Sequence, residues 1–135
     1  MGDRGRCQLV RPSGGYGGKQ GFSYIEGISA ESVGATGICM HLLTIPPGGR
    51  ARAHMHDAHE TAIYVLSGVS EMWHGDRLQH HIRVEAGDML YIPAGEPHLP
   101  LNPGPEPVMA VIARTDPNEQ ESVTLLPWLE GPIPR

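Results

Sequence analysis

The sequence predicts an all-β protein, a small antiparallel β-barrel, on three observations. Eighteen glycines and 13 prolines, close to a quarter of the 135 residues, fall mainly at intervals between short apolar runs. That pattern reads as turns separating strands. The runs number eight to ten and recur at the spacing of a barrel. Seven of the eight histidines lie between positions 54 and 98, on segments where alternation puts residues two apart on one face.

Taken in order, residues 1–21 form an arm, flexible by the composition of Ser13-Gly14-Gly15-Tyr16-Gly17-Gly18 or crossing to a second subunit. Phe22 to Ile28 is a first strand, and Ser29 to Gly34 is a turn of small residues. Gly37 to Ile45 is nearly continuous in apolar residues, which predicts a strand buried on both faces. Pro46-Pro47-Gly48-Gly49 breaks it. Ala62 to Leu66 and Val69 to His74 follow, on either side of Gly68. Leu78 to Glu85, Met89 to Ile92 and His98 to Leu101 are further strands, with turns at Gly75-Asp76, Ala86-Gly87-Asp88 and Pro93-Ala94-Gly95. After the proline-rich loop at 102–107, Val108 to Arg114 is the last apolar strand of a domain spanning 22–114. The tail, 115–135, is apolar at Val123 to Leu129 and is expected to pack on its own barrel or on a partner subunit.

Composition excludes several classes. A formal charge of −5 argues against nucleic acid or an anionic membrane surface as partner. No apolar stretch is long enough to span a bilayer, and the N-terminus lacks a signal-peptide core. Two cysteines, Cys7 and Cys39, are too few for a disulfide framework, which makes a reducing cytoplasm the default. No nucleophile motif, phosphate loop or dinucleotide fingerprint is present, so any chemistry falls to a metal.

The stretch from Gly48 to Gly68 places His54, His56, His59 and Glu60 within seven residues. On a strand, His54 and His56 share a face about 6–7 Å apart, a spacing that suits two imidazole ligands of one metal ion. A second stretch, from Gly87, ends in His98, with Asn102 four residues on. Here the sequence resembles the cupin superfamily. Gly48, His54, His56 and Glu60 fit the front of its first motif, G-x5-H-x-H-x3,4-E-x6-G. Gly87, Pro93, Gly95, His98 and Asn102 match every fixed position of its second, G-x5-P-x-G-x2-H-x3-N. The resemblance covers roughly residues 36 to 114. It implies a double-stranded β-helix, or jelly roll, with one divalent transition metal at its centre: Fe, Mn, Ni, Cu or Zn.

In one respect the sequence departs from the motif. Seven residues separate Glu60 from Gly68 where the motif has six. Counting forward from His56 selects Glu60 as the fourth ligand. Counting back from Gly68 puts Thr61 in that slot and gives His59 the inward parity. A bulge at Thr61-Ala62 would reconcile the counts in favour of Glu60.

The expected ligands are therefore His54, His56, His98 and Glu60, with His59 as the alternative to Glu60. His41 interrupts an apolar strand, as a core histidine or as a proton shuttle titrating near neutral pH. Thr61 and Ile63, with Val65, share the parity of the cavity wall. Tyr64, Met40, Trp73, Met89 and Tyr91 are core or pocket candidates. Arg52 shares parity with His54 and could hold a substrate carboxylate or phosphate. His74, His80 and His81 sit near hairpin turns and read as solvated. The resemblance implies a metal-dependent enzyme acting on a small molecule, first a dioxygenase-like oxidoreductase. The alternatives are a sugar-phosphate isomerase of the phosphomannose type and a non-enzymatic metal- or ligand-binding barrel. A homodimer is expected from the two chain ends and from the pairing surfaces of an antiparallel barrel.

Overall fold

The computed structural model describes residues 5–12, 16–17, 22–118 and 123–130. Among them run eleven strands: β1 (Tyr16–Gly17), β2 (Ser23–Ile28), β3 (Cys39–Ile45), β4 (His54–His56), β5 (Thr61–Ser67), β6 (Val69–His74), β7 (His80–Glu85), β8 (Met89–Ile92), β9 (His98–Leu101), β10 (Val108–Arg114) and β11 (Val123–Leu125). They form two antiparallel sheets, one in the order β1-β2-β3-β10-β5-β8 and the other in the order β11-β4-β9-β6-β7. The sheets face one another without closing into a single hydrogen-bonded barrel, a small correction to the expected closure.

The core lies between the sheets. Phe22, Tyr24, Leu43, Ile45, Val65, Val84, Val108 and Ile112 form one buried cluster, each from an alternating inward position. A second cluster joins Leu99 and Leu101 of β9 to Ala53, Leu78 and Leu126. Leu99 and Leu101 alternate with His98 and Pro100, which line the cavity between the sheets, so this second cluster sits on the other face of β9.

The C-terminal segment covers that face. β11 pairs with β4, Val123 opposite His56 and Leu125 opposite His54, and Leu126 is buried. The apolar tail thus packs on the strand that carries the histidine pair, although Trp128 remains exposed. Part of the expected arm is also tied down: Tyr16–Gly17 pairs with β2, and Gln8 Nε2 donates to the Val33 carbonyl at 2.9 Å. The rest of its glycine-rich stretch, 13–15 and 18–21, lies outside the described residues. The expected turn after β2 contains a short helix, α1 (Ala30–Val33), capped by Ser29 and ended by Gly34 in a left-handed conformation, the usual N-cap and C-cap residue types.

β3 is not buried on both faces. Cys39, His41, Leu43 and Ile45 point inward, whereas Met40 is 42% exposed. The apolar run is continuous because the outer face of this sheet is itself apolar. Tyr64, Leu66, Met89, Tyr91 and Met109 are exposed beside Met40. None of Met40, Tyr64, Met89 or Tyr91 lines the inner cavity, while Trp73 packs against the second cluster.

Candidate metal centre

β4 and β9 bring the three motif histidines together. β4 is paired to β9 with His54 opposite His98, and His56 follows on the same face, buried like the other two. The turn before β9 is fastened to β4, since the Gly95 N–H donates to the His56 carbonyl at 2.8 Å. Gly95 has φ 79°, the left-handed conformation that glycine adopts without strain. Asn102 at the end of β9 is a structural clasp. Its side-chain amide reaches the Ile45, Pro46 and Glu106 carbonyls, and its Oδ1 accepts from the Gly104 N–H. These ties carry His98 across 41 residues of sequence to His56, with ring centroids 5.4 Å apart. One ring nitrogen from each of His54, His56 and His98 lies within 4.8 Å of the others.

The hydrogen bonds around the rings favour metal ligation. His54 Nδ1 donates to the Arg52 carbonyl at 2.6 Å and His98 Nδ1 to the Glu96 carbonyl at 2.9 Å. A carbonyl can only accept, so these bonds put the proton on Nδ1 and leave the Nε2 lone pair unprotonated. A second group orienting a ligating imidazole in this way is usual. His56 Nδ1 is buried with no hydrogen-bond partner among the described residues, an unusual state for a buried polar atom. Burial pushes all three below the ordinary histidine range, His54 to about 4 and His98 to about 3. His56 is lowered further, by burial and then by the charge of Arg114. Neutral imidazole is the ligating form, so the donor set fits a divalent transition metal.

Glu60 is not brought to the three histidines. It is exposed, and its carboxylate accepts from the Tyr91 hydroxyl at 2.7 Å. The bulge expected at Thr61-Ala62 is absent, because β5 and β10 pair Thr61 with Arg114 and Ala62 with Ala113 without a shift. The shift lies at the far end of β5, where Ser67 pairs with Met109 and Val65 with Ala110, leaving Leu66 as the extra residue. Thr61 therefore takes the inward slot and Glu60 faces out. His59 is buried beside His56, ring centroids 4.6 Å apart, but its Nδ1 lies 3.4 Å from Asp116 Oδ2.

The remaining candidates separate cleanly. Thr61 and Ile63 line the cavity between the sheets, as does Val65. Tyr64 points to the opposite, outer face. The Arg52 side chain is exposed and absent from the cavity lining, because residues 51–53 precede β4 and do not share its alternation. Arg52 contributes its carbonyl instead. His41 is buried and lies edge-on to Tyr24. Burial, then Arg114, lower it to about 3. His74 and His81 are partly exposed and paired with Glu96 and Glu71 at 2.8 and 2.9 Å, and His80 is exposed.

One cavity residue escaped the sequence reading. Arg114 ends β10 fully inside, 2% exposed, and lines the cavity with the three histidines. Its Nη1 lies 3.4 Å from His41 Nε2. The signal was its parity with Val108, Ala110 and Ile112, which makes it a charged residue in an inward slot of an apolar strand.

Comparison with known proteins agrees with this geometry. Residues 41–113 match the family described as the cupin domain. No curated protein matches the chain. Among solved structures, the chain resembles the oxalate decarboxylase of Bacillus subtilis, studied for its Mn(II) centres, with TM-score 0.68 and 21% identity over 88% of this chain and 30% of that one. It thus spans about a third of that protein. It also resembles the polyketide cyclase RemF of Streptomyces resistomycificus, with TM-score 0.67 and 23% identity over 93% and 86% of the two chains. A sugar phosphate isomerase from Silicibacter pomeroyi aligns with TM-score 0.61 and 19% identity over 81% and 75%. At these identities the likeness concerns the fold.

Proposed function

The chain belongs to the cupin-domain family, and from that membership we propose that it is a mononuclear metal-dependent enzyme acting on a small organic molecule. The observation that carries this reading is the buried cluster of His54, His56 and His98, with Nδ1 of His54 and His98 committed to carbonyls. These three would hold the ion. When bound, it supplies a Lewis acid that polarises a substrate oxygen. His59 and Glu60 are the weaker fourth candidates, since the first is engaged with Asp116 and the second with Tyr91.

Within that class we infer a dioxygenase-like oxidoreductase. Three histidines without a protein carboxylate leave more than one coordination position open, as holding a substrate and O2 together requires. Thr61, Ile63 and Val65 supply a wall that is mostly apolar and excludes bulk water. The isomerase reading ranks below, because a cavity of about 50 Å³ is too small for a sugar phosphate. Screening oxygen uptake after anaerobic reconstitution with each first-row metal tests this. Turnover that stops on chelation supports the enzyme. Tight ligand binding with no turnover for any metal supports a binding protein instead.

The molecule is further proposed to act as a homodimer in a reducing, cytoplasmic compartment. The apolar outer face of the six-stranded sheet, with Met89 83% and Tyr91 60% exposed, is the kind of patch that marks an interaction surface, and β8 is an edge strand of that sheet. Neither Cys7 nor Cys39 is in a disulfide. No helix among the described residues is long and apolar enough to cross a membrane.

A further inference from the structure

We propose that Arg114 and Thr61 form an anion-holding pair, and that the substrate of this site is a small carboxylate. The inference deepens the metal-enzyme reading and rests on it. Thr61 and Arg114 are direct cross-strand partners on β5 and β10, both 2% exposed, and both line the same cavity as His54, His56 and His98. Thr61 Oγ1 is buried with no hydrogen-bond partner among the described residues. A buried hydroxyl left unmatched costs free energy, which a ligand oxygen accepting its proton would recover. Thr61 also occupies the strand position that the motif count back from Gly68 assigns to a carboxylate. This chain offers a hydroxyl donor there.

Charge points the same way. Among the described residues no Asp or Glu lines the cavity, so the fixed charge they give it is that of the Arg114 guanidinium. A divalent ion on three neutral imidazoles would add to it, and in a low-dielectric interior such a site selects an anion over a neutral isostere. Guanidinium offers a carboxylate two parallel donors. Tyr24 and His41 hold the guanidinium in place, Tyr24 through a side-chain hydrogen bond and His41 through Nε2. The cavity measures about 50 Å³. At 10–15 Å³ per water-sized position, that accommodates a ligand of roughly three to five heavy atoms. The walls beyond the polar end are apolar, among them Val65, Val84 and Ile112.

The test compares formate with its neutral isostere formamide, by calorimetry on protein loaded with Mn(II) and on the metal-free protein, with metal content measured for every sample. The expected result is that formate binds and formamide does not at the same concentration. Arg114→Gln then weakens formate binding about tenfold or more while Mn(II) content is unchanged. Thr61→Val weakens it several-fold, and Thr61→Glu, which places a carboxylate beside Arg114, abolishes it. Should Arg114→Gln fail to fold, Arg114→Lys keeps the charge without the two-donor fork and is expected to weaken formate at least threefold. Unchanged formate affinity in the folded Arg114 variant, with metal still bound, overturns the anion-holding pair and leaves the metal reading standing. If the wild type takes up no Mn(II), the metal reading falls separately. The metal-free titration still decides the pair: Arg114-dependent formate binding supports it, and formate binding that is absent or independent of Arg114 overturns it.

Discussion

His54, His56 and His98 are three titratable rings held neutral by burial, and this makes the metal-free protein sensitive to acid. In the unfolded chain each titrates near 6.5. Folded, His54 titrates at about 4 and His98 at about 3, as does His41. Between those values and 6.5 the unfolded state binds more protons. Stability is therefore complete above pH 6.5 and is lost as pH falls toward 4, by about 1.4 kcal/mol per pH unit for each such histidine. Thermal unfolding of the metal-free protein at pH 7.5 and 5.5 should show a clear drop, and a flat profile would argue that the rings are not buried neutral. At the same scale, Glu60→Gln should leave metal content unchanged, measured by plasma mass spectrometry, because Glu60 is engaged with Tyr91. Loss of metal in that variant would return Glu60 to the ligand set. The three histidines were legible because motif spacing survives any local register. The fourth position was not, because whether Glu60 or Thr61 faces inward depends on a bulge, and the sequence does not say that it sits at Leu66. Arg114 was hidden in a run that otherwise read as apolar core.

The elements that deliver these side chains are set by turns. Gly68 joins β5 to β6 with φ 85°, and a Cβ there would approach the Pro107 carbonyl oxygen to 2.5 Å. Gly68→Ala should cost about 1–3 kcal/mol, read as a lower midpoint in chemical denaturation. An unchanged midpoint would show that the turn relaxes freely. Asn102→Ala removes a buried side chain that bonds four backbone groups, and is expected to cost about 2–4 kcal/mol. Strand positions were readable from alternation and from glycine and proline punctuation. The exposure of β3 and β8 was not, because an apolar outer face and an apolar core produce the same continuous run.

At the scale of the whole molecule, two sheets pack their inner faces together and leave one outer face apolar and open to solvent. On the other sheet, β11 extends the edge beside β4 and Leu126 packs on the outer side of β9, a role that the sequence left open between this chain and a partner. If the bare face pairs two copies, the paired substitution Tyr64→Lys with Met89→Lys should convert a dimer into a monomer in sedimentation at micromolar concentration, with metal content intact. A wild type that sediments as a monomer would remove that assignment. Resemblance to the motifs made the facing-sheet architecture legible. How far the sheets stay open at their edges is set by long-range pairing that no local pattern encodes.

Metal bound at His54, His56 and His98 is tested most directly by the metal content of freshly purified protein, wild type beside His98→Ala. The wild type is expected to hold about one equivalent of a first-row transition metal, most of it lost in His98→Ala and retained in His80→Ala. A wild type that holds no metal after reconstitution, or a His98→Ala variant that holds a full equivalent, would contradict that expectation.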